Sequence, residues 1–496
     1  MSREVEIAGV KIPQADWEAT PASIRALVQS LSEQLSHIEE KLKKNSKNSS
    51  KPPSSQGFGR SIEKKEKSSK KRKGQKQGKP RQAKKLRLSE TCTEIHEIKP
   101  EVCKSCGEAL KGIDKKPRRH QVLELPPIEI QVSEYRLHQL KCEACGETTT
   151  ADLPKGVSSL GYGERISATI GLLSSPPYRQ SYRQVCQLMS EIFNIDISRG
   201  TVGRLREELL RAISPSVAEA KIYVQSQPVI NSDETSFSQG NRDGHNPQGR
   251  QGWLWVVLSP LVSFFEVTLN RSQQTAKDLI GQDYDGIVIS DRYSAYNWIP
   301  LSQRQVCWAH LKRDLTAIAE RPGVSQEIGE ALLARQRRLF RWWYSLREGR
   351  LSRELFIEAV EQLRAGFRQT IEETASLSIA PHEKTPLAKT VRTCRQLLKV
   401  ESALWTFVDT PGVEPTNNSA ERVLRPAVIW RRTSFGSQSL LGSRFAAAIL
   451  TVTASLQAQG CSTLDWLSQA FLAVRSDSPA PSLIPDPSFP GHHRSL

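Results

Sequence analysis

The chain has 496 residues, more than one ordinary domain holds, and 38% of them are hydrophobic, which is enough for packed cores. The net charge of +17 is concentrated in residues 41–87, where 19 Lys and Arg occur with only 2 Glu; such a segment suits a sequence-independent hold on phosphates. No secretory signal and no run of about 20 apolar residues is evident, so the sequence argues against secreted and membrane-spanning classes and predicts a cytoplasmic protein.

The first predicted element is a helix that begins after Thr20-Pro21, a capping hydroxyl followed by a proline at the first helical position. Its apolar residues recur at alternating spacings of four and three, and they are Ile24, Val28, Leu31, Leu35, Ile38 and Leu42. This heptad pattern predicts a short coiled coil within residues 1–44, and hence a homo-oligomer of at least two chains. The alternative is that the stripe packs on its own chain.

Residues 45–90 are rich in Ser, Lys, Pro and Gly and nearly lack apolar side chains, so they cannot offset the entropy of ordering by themselves. We predict a disordered basic linker in this range. It can act as a solvated connection or as a basic arm that becomes ordered on DNA, and the two interpretations are compatible.

A small zinc-binding β unit, a zinc ribbon, is predicted over residues 91–155. Two knuckles of the form Cys-x-x-Cys-Gly supply its candidate metal ligands, which are Cys103, Cys106, Cys142 and Cys145. Residues 120–125 and 128–140 between the knuckles have the apolar pattern of strands. Glycine permits the positive φ of each turn, and four thiolates complete the tetrahedral ligand set of Zn²⁺. The alternative is four unrelated structural cysteines; Cys92 lies outside the pattern.

Nine cysteines, an odd number, also fit a reducing compartment and a metal site better than a disulfide framework.

Residues 160–215 are predicted to form a helical region that resembles a helix-turn-helix. Two helices are expected over residues 181–210, with a break at 194–197 and Ser198 as the N-cap of the second helix. The second helix carries the candidate DNA contacts, which are Thr201, Arg204 and Arg206. A helical hairpin that touches no nucleic acid is an equally ordinary interpretation.

Residues 220–322 are predicted to form the first part of an α/β catalytic core. The β-branched pair Val229 and Ile230 leads into Asp233 and Glu234, which predicts a strand that ends in an acid. The following predicted elements are strands at 251–260 and 261–270, a helix at 274–280, a strand at 286–290 ending in Asp291, an apolar stretch at 305–310 and a basic helix at 311–318. This is the element order of an RNase H-like fold, in which the two strand-end aspartates lie side by side.

Residues 323–405 have helical periodicity throughout and predict a helical insertion without chemistry of its own. Within it, the pair Trp342 and Trp343 is interpreted as core. Two further helices are expected at 440–459 and 463–475, and residues 476–496 are predicted to be a disordered tail. The predicted fold class is therefore multidomain α+β.

The core resumes over residues 406–475, where a predicted helix begins at Asn417 or Asn418 and carries Glu421. The spacing of Asn418 and Glu421 also fits a capping box, which requires no catalysis. Four arginines close to the glutamate favour phosphate contact instead, and these candidate DNA-binding residues are Arg422, Arg425, Arg431 and Arg432.

Two strand-end aspartates and a helical glutamate can together bind two Mg²⁺ (or Mn²⁺) ions about 3.5–4 Å apart. The candidate catalytic and metal-binding residues are therefore Asp233, Asp291 and Glu421. Mg²⁺ prefers hard oxygen ligands and keeps waters that can act as nucleophiles. Such a pair of ions suits in-line displacement at phosphorus.

The sequence resembles the DDE transposases of the insertion-sequence-sixty-six family over nearly its whole length. The motifs that carry the resemblance are Asn48-Ser-Ser-Lys-Pro-Pro-Ser-Ser55, the two cysteine knuckles, Ser232-Asp-Glu-Thr235, Ser290-Asp-Arg-Tyr-Ser-Ala-Tyr296, Cys307-Trp-Ala-His-Leu311 and Asn417-Asn-Ser-Ala-Glu-Arg-Val-Leu-Arg-Pro426. The resemblance implies that Asp233, Asp291 and Glu421 form the catalytic triad, with the helical insertion before the glutamate.

The same resemblance implies cleavage at the terminal inverted repeats of an insertion sequence and strand transfer by the freed 3′-OH, without a covalent enzyme–DNA intermediate. It implies transposon-end DNA, target DNA and accessory proteins of the element as partners, no membrane, and a nucleoid-associated place in a prokaryotic cytoplasm. Two other hypotheses are an RNase H-like nuclease without strand transfer and a catalytically inactive zinc-containing DNA-binding protein.

One position departs from the pattern that the resemblance implies. Many DDE enzymes carry a basic residue seven positions after the glutamate, and here that residue is Val428. Arg425 and Arg431 flank it, and either can take the role. His310 matches a family position near the active site, but we interpret it as a structural histidine on a buried strand.

Overall fold

The computed structural model describes residues 4–7, 10–43, 86–114, 116–176 and 178–486. Most of the predicted linker, including the Asn48–Ser55 motif, and the last ten residues of the predicted tail lie outside the described residues. The chain divides into two units: a large unit of Met1–Gly57 with Val132–Leu496, and a small unit of Phe58–Gln131.

The described part of the small unit is largely chain without regular secondary structure, with exposed apolar residues. It holds a 3₁₀ turn at Ser89–Thr91 and a single β-bridge between Val102 and Ala109, which closes the first cysteine knuckle. Ile98 is 91% exposed.

The strands predicted at 120–125 and 128–140 are wrong, apart from a three-residue strand at the end of the second run. No strand forms across the described residues 116–138. Val132, in the middle of the alternating run, is 87% exposed. Alternation produces a strand only where one face is buried and the backbone finds a partner, and these residues have neither.

The large unit is a mixed structure of sheet and helix. Its strands are β1 Glu4–Ile7, β2 Val10–Pro13, β3 Gln139–Lys141, β4 Thr148–Thr150, β5 Val229–Ser236, β6 Trp253–Leu258, β7 Ser263–Thr268, β8 Ile287–Ser290 and β9 Arg304–Val306. Its helices are α1 Gln14–Ala19, α2 Ala22–Lys43, α3 Glu164–Leu173, α4 Tyr182–Phe193, α5 Arg199–Gln225, α6 Gln273–Ile280, α7 Trp308–Ala319, α8 Val324–Arg347, α9 Arg353–Ser376, α10 Pro386–Leu398, α11 Thr406–Asp409, α12 Asn418–Ser434, α13 Leu440–Gln459 and α14 Thr463–Arg475.

The central sheet has the strand order β7-β6-β5-β8-β9. The first three strands pair antiparallel, whereas β8 and β9 run parallel to β5. The predicted order of three antiparallel strands, a helix, a strand and a further strand is confirmed. The β-branched and aromatic residues of these strands fill both faces of the sheet.

Helices cover the sheet on both faces. On one face α5, α13 and α14 pack against Ile230 and Trp255. On the other, Val256 of β6 packs against Leu424 and its neighbours on α12. The helical insertion shares a core with α7 and with Ile289 of β8 and Val306 of β9. Trp343 is buried in it as predicted, and Trp342 is partly buried against it.

Helix α13 is long and apolar enough to cross a membrane by length and composition, a feature that the sequence interpretation did not identify. Of its most apolar window, 67% is buried inside the large unit. Its Thr451 and Ser455 hydroxyls accept hydrogen bonds from backbone N–H groups of β7, each at 3.0 Å. The helix therefore satisfies the edge of the sheet and acts as a core element.

The two helices predicted at 181–210 are confirmed, but the second is longer than expected. Ser181 and Gln184 form a capping box at α4, and the Ser198 hydroxyl caps α5 by accepting from the N–H of Thr201 at 3.1 Å. Helix α5 continues without a break through Pro215 to Gln225 and enters the core beneath the sheet.

Part of the predicted disordered tail packs on the large unit. Leu483 is fully buried, and the Trp466 indole N–H donates to the Ser482 carbonyl at 3.0 Å. The Ser482 hydroxyl donates to Glu219 on α5. The Pro and Ser content that suggested disorder is therefore outweighed, up to residue 486, by one apolar anchor and its hydrogen bonds.

The predicted N-terminal helix is confirmed as α2, and an unpredicted hairpin of β1 and β2 precedes it. Three positions of the heptad seam, Ile24, Leu31 and Leu35, are 49%, 49% and 54% exposed. Packing of this stripe on its own chain is therefore wrong for these residues, whereas the coiled coil stays a prediction.

Candidate active site

Two parallel strands carry the aspartates of the candidate site. Asp233 lies within β5, three residues before its end, so the prediction that this strand ends at the acid is wrong, whereas Asp291 directly follows β8 as predicted. The register pairs Asn231 with Ile289, and two residues further along each strand come Asp233 and Asp291. Because side chains alternate along a strand, both carboxylates leave the sheet on the same face.

Glu421 reaches this face on α12, and hydrogen bonds join the start of this helix to the sheet. The fully buried N-cap residue Asn417 donates to the Ser232 carbonyl at 2.8 Å and accepts from the Asn231 amide at 2.8 Å. Its backbone N–H donates to Cys307 Sγ at 3.0 Å. Burial raises the pKa of the Cys307 thiol to about 11, so the acceptor is a neutral thiol. The helix start is thereby fixed to both β5 and the residue before α7.

The capping-box interpretation of Glu421 is wrong. Helix α12 has no side-chain capping hydrogen bond, and Asn418 lies inside the helix. The Glu421 carboxylate accepts instead from Arg313 Nη2 at 3.0 Å and lies 3.6 Å from His310 Nε2. It is therefore directed toward α7.

His310 does not lie on a buried strand as expected. Strand β9 ends at Val306, and His310 belongs to the first turn of α7. Its Nδ1 is buried without an acceptor among the described residues. Burial and then the Arg313 charge lower the pKa of His310, which favours the neutral ring beside Glu421.

The Asp233 carboxylate has little electrostatic support. It accepts one hydrogen bond, from the Glu234 backbone N–H at 2.9 Å, and forms no ion pair with a Lys or Arg of the described residues. Desolvation raises the pKa of Asp233 well above its ordinary value, and the charges of Glu234, Asp291 and Glu421 raise it further. Asp291 and Glu421 are therefore near enough for their charges to act on Asp233.

This donor set fits a hard divalent cation, since carboxylate oxygens are its preferred ligands and a cation would offset the repulsion at Asp233. In the side-chain arrangement of the described residues, no group of three His, Cys, Asp or Glu stands ready to hold one metal ion. The Glu421 carboxylate is engaged with Arg313, as described above.

Glu234 follows Asp233 directly but lies on the opposite face of β5. Its side chain is 0% exposed and pairs with Arg271, whose Nε donates to Glu234 Oε1 at 2.8 Å. The Tyr296 hydroxyl donates to Oε2 at 2.5 Å. The Arg271 guanidinium lies over the ring of Tyr293. Glu234 is thus bound within a buried network.

The candidate DNA-binding arginines of α12 occupy different environments. Arg422 and Arg425 are exposed. Arg431 donates to the Thr235 and Ser236 hydroxyls at 2.8 and 2.7 Å, so it is bound to the end of β5, two and three residues beyond Asp233. Arg432 is partly buried.

The candidates on α5 also differ from each other. Arg204 is exposed and donates to the Thr201 hydroxyl at 3.3 Å. The Arg206 guanidinium lies between the rings of Tyr182 and Phe445, 5.0 and 4.0 Å from their centroids, and donates to the Tyr182 hydroxyl at 2.6 Å. Arg206 therefore has a packing role in this structure.

Each cysteine knuckle has the turn that its glycine predicts. Gly107 and Gly146 have φ of +78° and +76°, and each donates its N–H to the carbonyl of the first cysteine of its own knuckle at 2.9 Å. The backbone N–H groups of the two residues before the glycine lower the pKa of Cys103 and Cys142. Thiolates are the form that binds zinc, so each knuckle suits it.

Two residues of the site were not predicted from the sequence. Arg313 donates to Glu421, and Asn417 hydrogen-bonds the start of α12 to β5. Arg313 lies three residues after His310 in a helix that was expected to be basic, so helical spacing could have placed both on one face. No local pattern indicates that Asn417 bonds to Ser232, because the two residues are 185 positions apart.

Comparisons with known proteins identify the class to which the chain belongs, the transposases. The profile of the family described as "Transposase IS66 family" matches residues 173–444, more than half of the chain. The profile described as the zinc-finger binding domain of transposase IS66 matches residues 100–146, and that of a family of unknown function matches residues 6–85.

The chain belongs to the IS66 family of transposases. Its zinc-finger match supports Zn²⁺ as a cofactor, and the family implies an enzyme that binds DNA.

Three relatives come from Sinorhizobium fredii (strain NBRC 101917 / NGR234), and each is described as an uncharacterized protein. y4qI is 26% identical over 256 residues, which are 46% of this chain and 45% of the relative, so this match spans less than half of either chain. y4jD is 22% identical across 77% of this chain and 76% of its own length. y4hP is 22% identical across 77% of this chain and 72% of its own length.

Proposed function

We propose that this chain is a DNA transposase of an insertion sequence that binds terminal inverted repeats and catalyses metal-dependent strand cleavage and 3′-OH strand transfer. Asp233, Asp291 and Glu421 are its catalytic triad. The catalytic core is RNase H-like, with residues 323–405 as a helical insertion. Both assignments refine the membership of the IS66 family.

The observation that carries this proposal is the convergence of three acids from distant parts of the sequence. Strands β5 and β8 supply two of them, and α12 supplies the third through the Asn417 cross-links. The charges of both partners act on Asp233. Proteins seldom leave a desolvated carboxylate such as Asp233 without a counter-charge, beside two further acids, unless function requires it.

The triad would hold Mg²⁺ or Mn²⁺. When bound, such cations activate the attacking oxygen and stabilise the leaving oxygen of a phosphodiester. Arg313 and His310 position the Glu421 carboxylate, and Arg431 fixes the end of β5 beside Asp233. Val428 stands where many DDE enzymes carry a basic residue, seven positions after the glutamate. We assign the role of that residue to Arg431 and not to Arg425, because Arg431 lies against the strand that carries Asp233.

DNA is held by regions outside the triad. Arg422, Arg425 and Arg432 continue along α12 and suit phosphate contacts, and Arg204 is exposed on α5. The basic segment 41–87 adds a sequence-independent hold. Cys103, Cys106, Cys142 and Cys145 would hold Zn²⁺, whose ligation would stabilise the fold of this region. The exposed seam of α2 pairs with a second copy as a coiled coil.

The test uses the full-length chain with the DNA that flanks its gene, made as labelled duplexes that include the inverted repeats. We expect strand cleavage at the repeat ends with Mg²⁺ or Mn²⁺, none with EDTA, and joining of the 3′-OH ends to target DNA. Asp233→Asn, Asp291→Asn and Glu421→Gln should abolish both steps. Lys389→Gln, an exposed change on α10, is the matched folding control.

Three outcomes separate the hypotheses. Cleavage with no joined product supports a nuclease without strand transfer. Equal activity of the wild type and all three triad variants contradicts the assigned triad. DNA binding without cleavage under any metal condition supports an inactive zinc-containing DNA-binding protein.

A further inference from the structure

A second cleft in the large unit lies beside β8 and β9, outside the carboxylate site. It has a volume of about 430 Å³. Three cations line it, Arg292, Arg304 and Lys399, and no carboxylate occurs among the described residues that form its wall. The cleft is therefore a positively charged concavity.

Arg304 is the least ordinary residue of this wall because it is a buried cation with neutral partners. Its side chain is almost wholly inside, and the residue is 1% exposed. Nη1 donates to Asn297 Oδ1 at 3.2 Å, and Nη2 donates to the Asp291 carbonyl at 2.8 Å. Its Nε is buried with no acceptor among the described residues. The charge of nearby Asp291 acts favourably on this cation, but among the described residues no carboxylate pairs with it directly. A buried guanidinium without a paired carboxylate is unfavourable, and a paired anion would offset that cost.

Two neighbours in the same wall repeat this pattern. Arg292 pairs with Asp314 through Nη2 at 2.5 Å, but its Nε is buried and has no acceptor in the described part of the chain. The Trp298 indole Nε1 is likewise buried and unpartnered there. Buried N–H groups are nearly always satisfied in native proteins, so three unsatisfied donors around one cleft indicate a missing acceptor.

We propose that this cleft binds a phosphate group through Arg292, Trp298, Arg304 and Lys399. A phosphate offers several oxygen acceptors, and its negative charge complements the cations of the wall. The planar guanidinium groups of Arg292 and Arg304 also match the geometry of phosphate oxygens. The group has two sources of the same chemistry: a backbone phosphodiester of DNA, or free phosphate. Only the DNA source rests on the proposed function.

The cleft adjoins the triad through the backbone. Arg304 holds the carbonyl of Asp291, and Arg292 is the next residue along the chain. An occupied cleft therefore fixes the chain segment that presents the second aspartate.

The test uses the full-length protein in EDTA, so that binding is measured without cleavage. Trp298→Phe removes one N–H donor and keeps an aromatic ring, and Lys399→Gln removes one exposed charge. Lys389→Gln is the matched control, since it removes an equally exposed charge on α10 outside the cleft. Each protein is titrated with inorganic phosphate by calorimetry, and with the flanking-end duplex across a range of salt concentrations.

If DNA supplies the phosphate, Lys399→Gln lowers the slope of log K against log salt by about one, and Trp298→Phe weakens duplex binding about tenfold. If free phosphate is the ligand, wild-type and Lys389→Gln proteins bind it, both cleft variants lose about tenfold in affinity, and duplex binding is unchanged. Either result supports the cleft.

The proposal is overturned if Trp298→Phe and Lys399→Gln, both folded by circular dichroism, match Lys389→Gln in both titrations. Lys399 is exposed, so its variant keeps the test decisive even if Trp298→Phe does not fold. Phosphate binding by a protein that cuts no DNA would separate this inference from the proposed function.

Discussion

Strand β5 presents two adjacent carboxylates to opposite faces of the sheet, and the two faces treat them differently. Glu234 enters a network in which Arg271 and Tyr296 donate to it. Asp233 has a single backbone N–H donor and faces two further acids. Both pKa values are raised by desolvation first, but only that of Glu234 is countered by a cation and a hydroxyl. Glu234, whose carboxylate has a cation and a hydroxyl as partners, therefore has a structural role. Asp233, which lacks such partners among the described residues, is available for chemistry.

The largest expected effect comes from neutralising the two carboxylates, Asp233 and Glu234, one at a time. Asp233→Asn should reduce cleavage of the flanking-end duplex by more than the roughly 100-fold that follows loss of a supporting residue around a metal site. Glu234→Gln retains an acceptor for Tyr296 and should reduce cleavage far less. Initial rates with Mg²⁺ measure both, and similar losses in the two variants would contradict the division of roles.

The next effect is on stability and reverses the order of the two residues. Glu234→Ala leaves Arg271 without its partner inside the network, so the free energy of unfolding should fall by about 3 kcal/mol. Glu266→Ala, which removes a half-exposed carboxylate from β7, should change it by less than about 0.5 kcal/mol. Urea denaturation followed by tryptophan fluorescence compares them. Equal midpoints for the two variants would show that the network is not stabilising.

Support of Glu421 by α7 is a third way to sharpen the comparison. Arg313→Gln removes the donor that holds the Glu421 carboxylate and should lower the cleavage rate about 10- to 100-fold without loss of folding. Its neighbour Lys312 is exposed, so Lys312→Gln is the matched control. An unchanged rate in Arg313→Gln would contradict a role in catalysis and would show that Arg313 holds the Glu421 carboxylate only in the metal-free protein.

The smallest expected effect is a pH-dependent gain in stability. The folded-state pKa of Asp233 lies above its unfolded value, so wild-type stability falls as pH rises through the folded pKa. Asp233→Asn does not titrate, and it should raise the stability at pH 7–8 in EDTA by on the order of 1 kcal/mol. The gain should shrink as pH falls through the folded pKa and vanish near pH 3, below the ordinary pKa of about 3.9, where Asp233 is protonated in both states. Thermal unfolding at several pH values measures it, and a constant difference would contradict this account.

Much of the fold follows from local pattern. The apolar runs before Asp233 and Asp291 predicted β5 and β8, and helical spacing predicted α8 to α10, α13 and α14. The alternation at 128–140 failed because a strand also needs a partner and a buried face, and neither is a local property. The tail failed in the opposite sense, since one buried residue, Leu483, outweighed its composition.

The sequence by itself predicted the three acids and the elements that carry them, because apolar runs and a helix start are short-range patterns; only the position of Asp233 within β5, three residues before its end, differs from the prediction. Tertiary structure alone decided their surroundings. Asn417 meets Ser232, and Arg313 meets Glu421, across more than a hundred residues. The same long-range packing paired Glu234 with Arg271 and left Asp233 without an ion-paired Lys or Arg in the described part of the chain, because which neighbours reach each face of a strand depends on the whole fold.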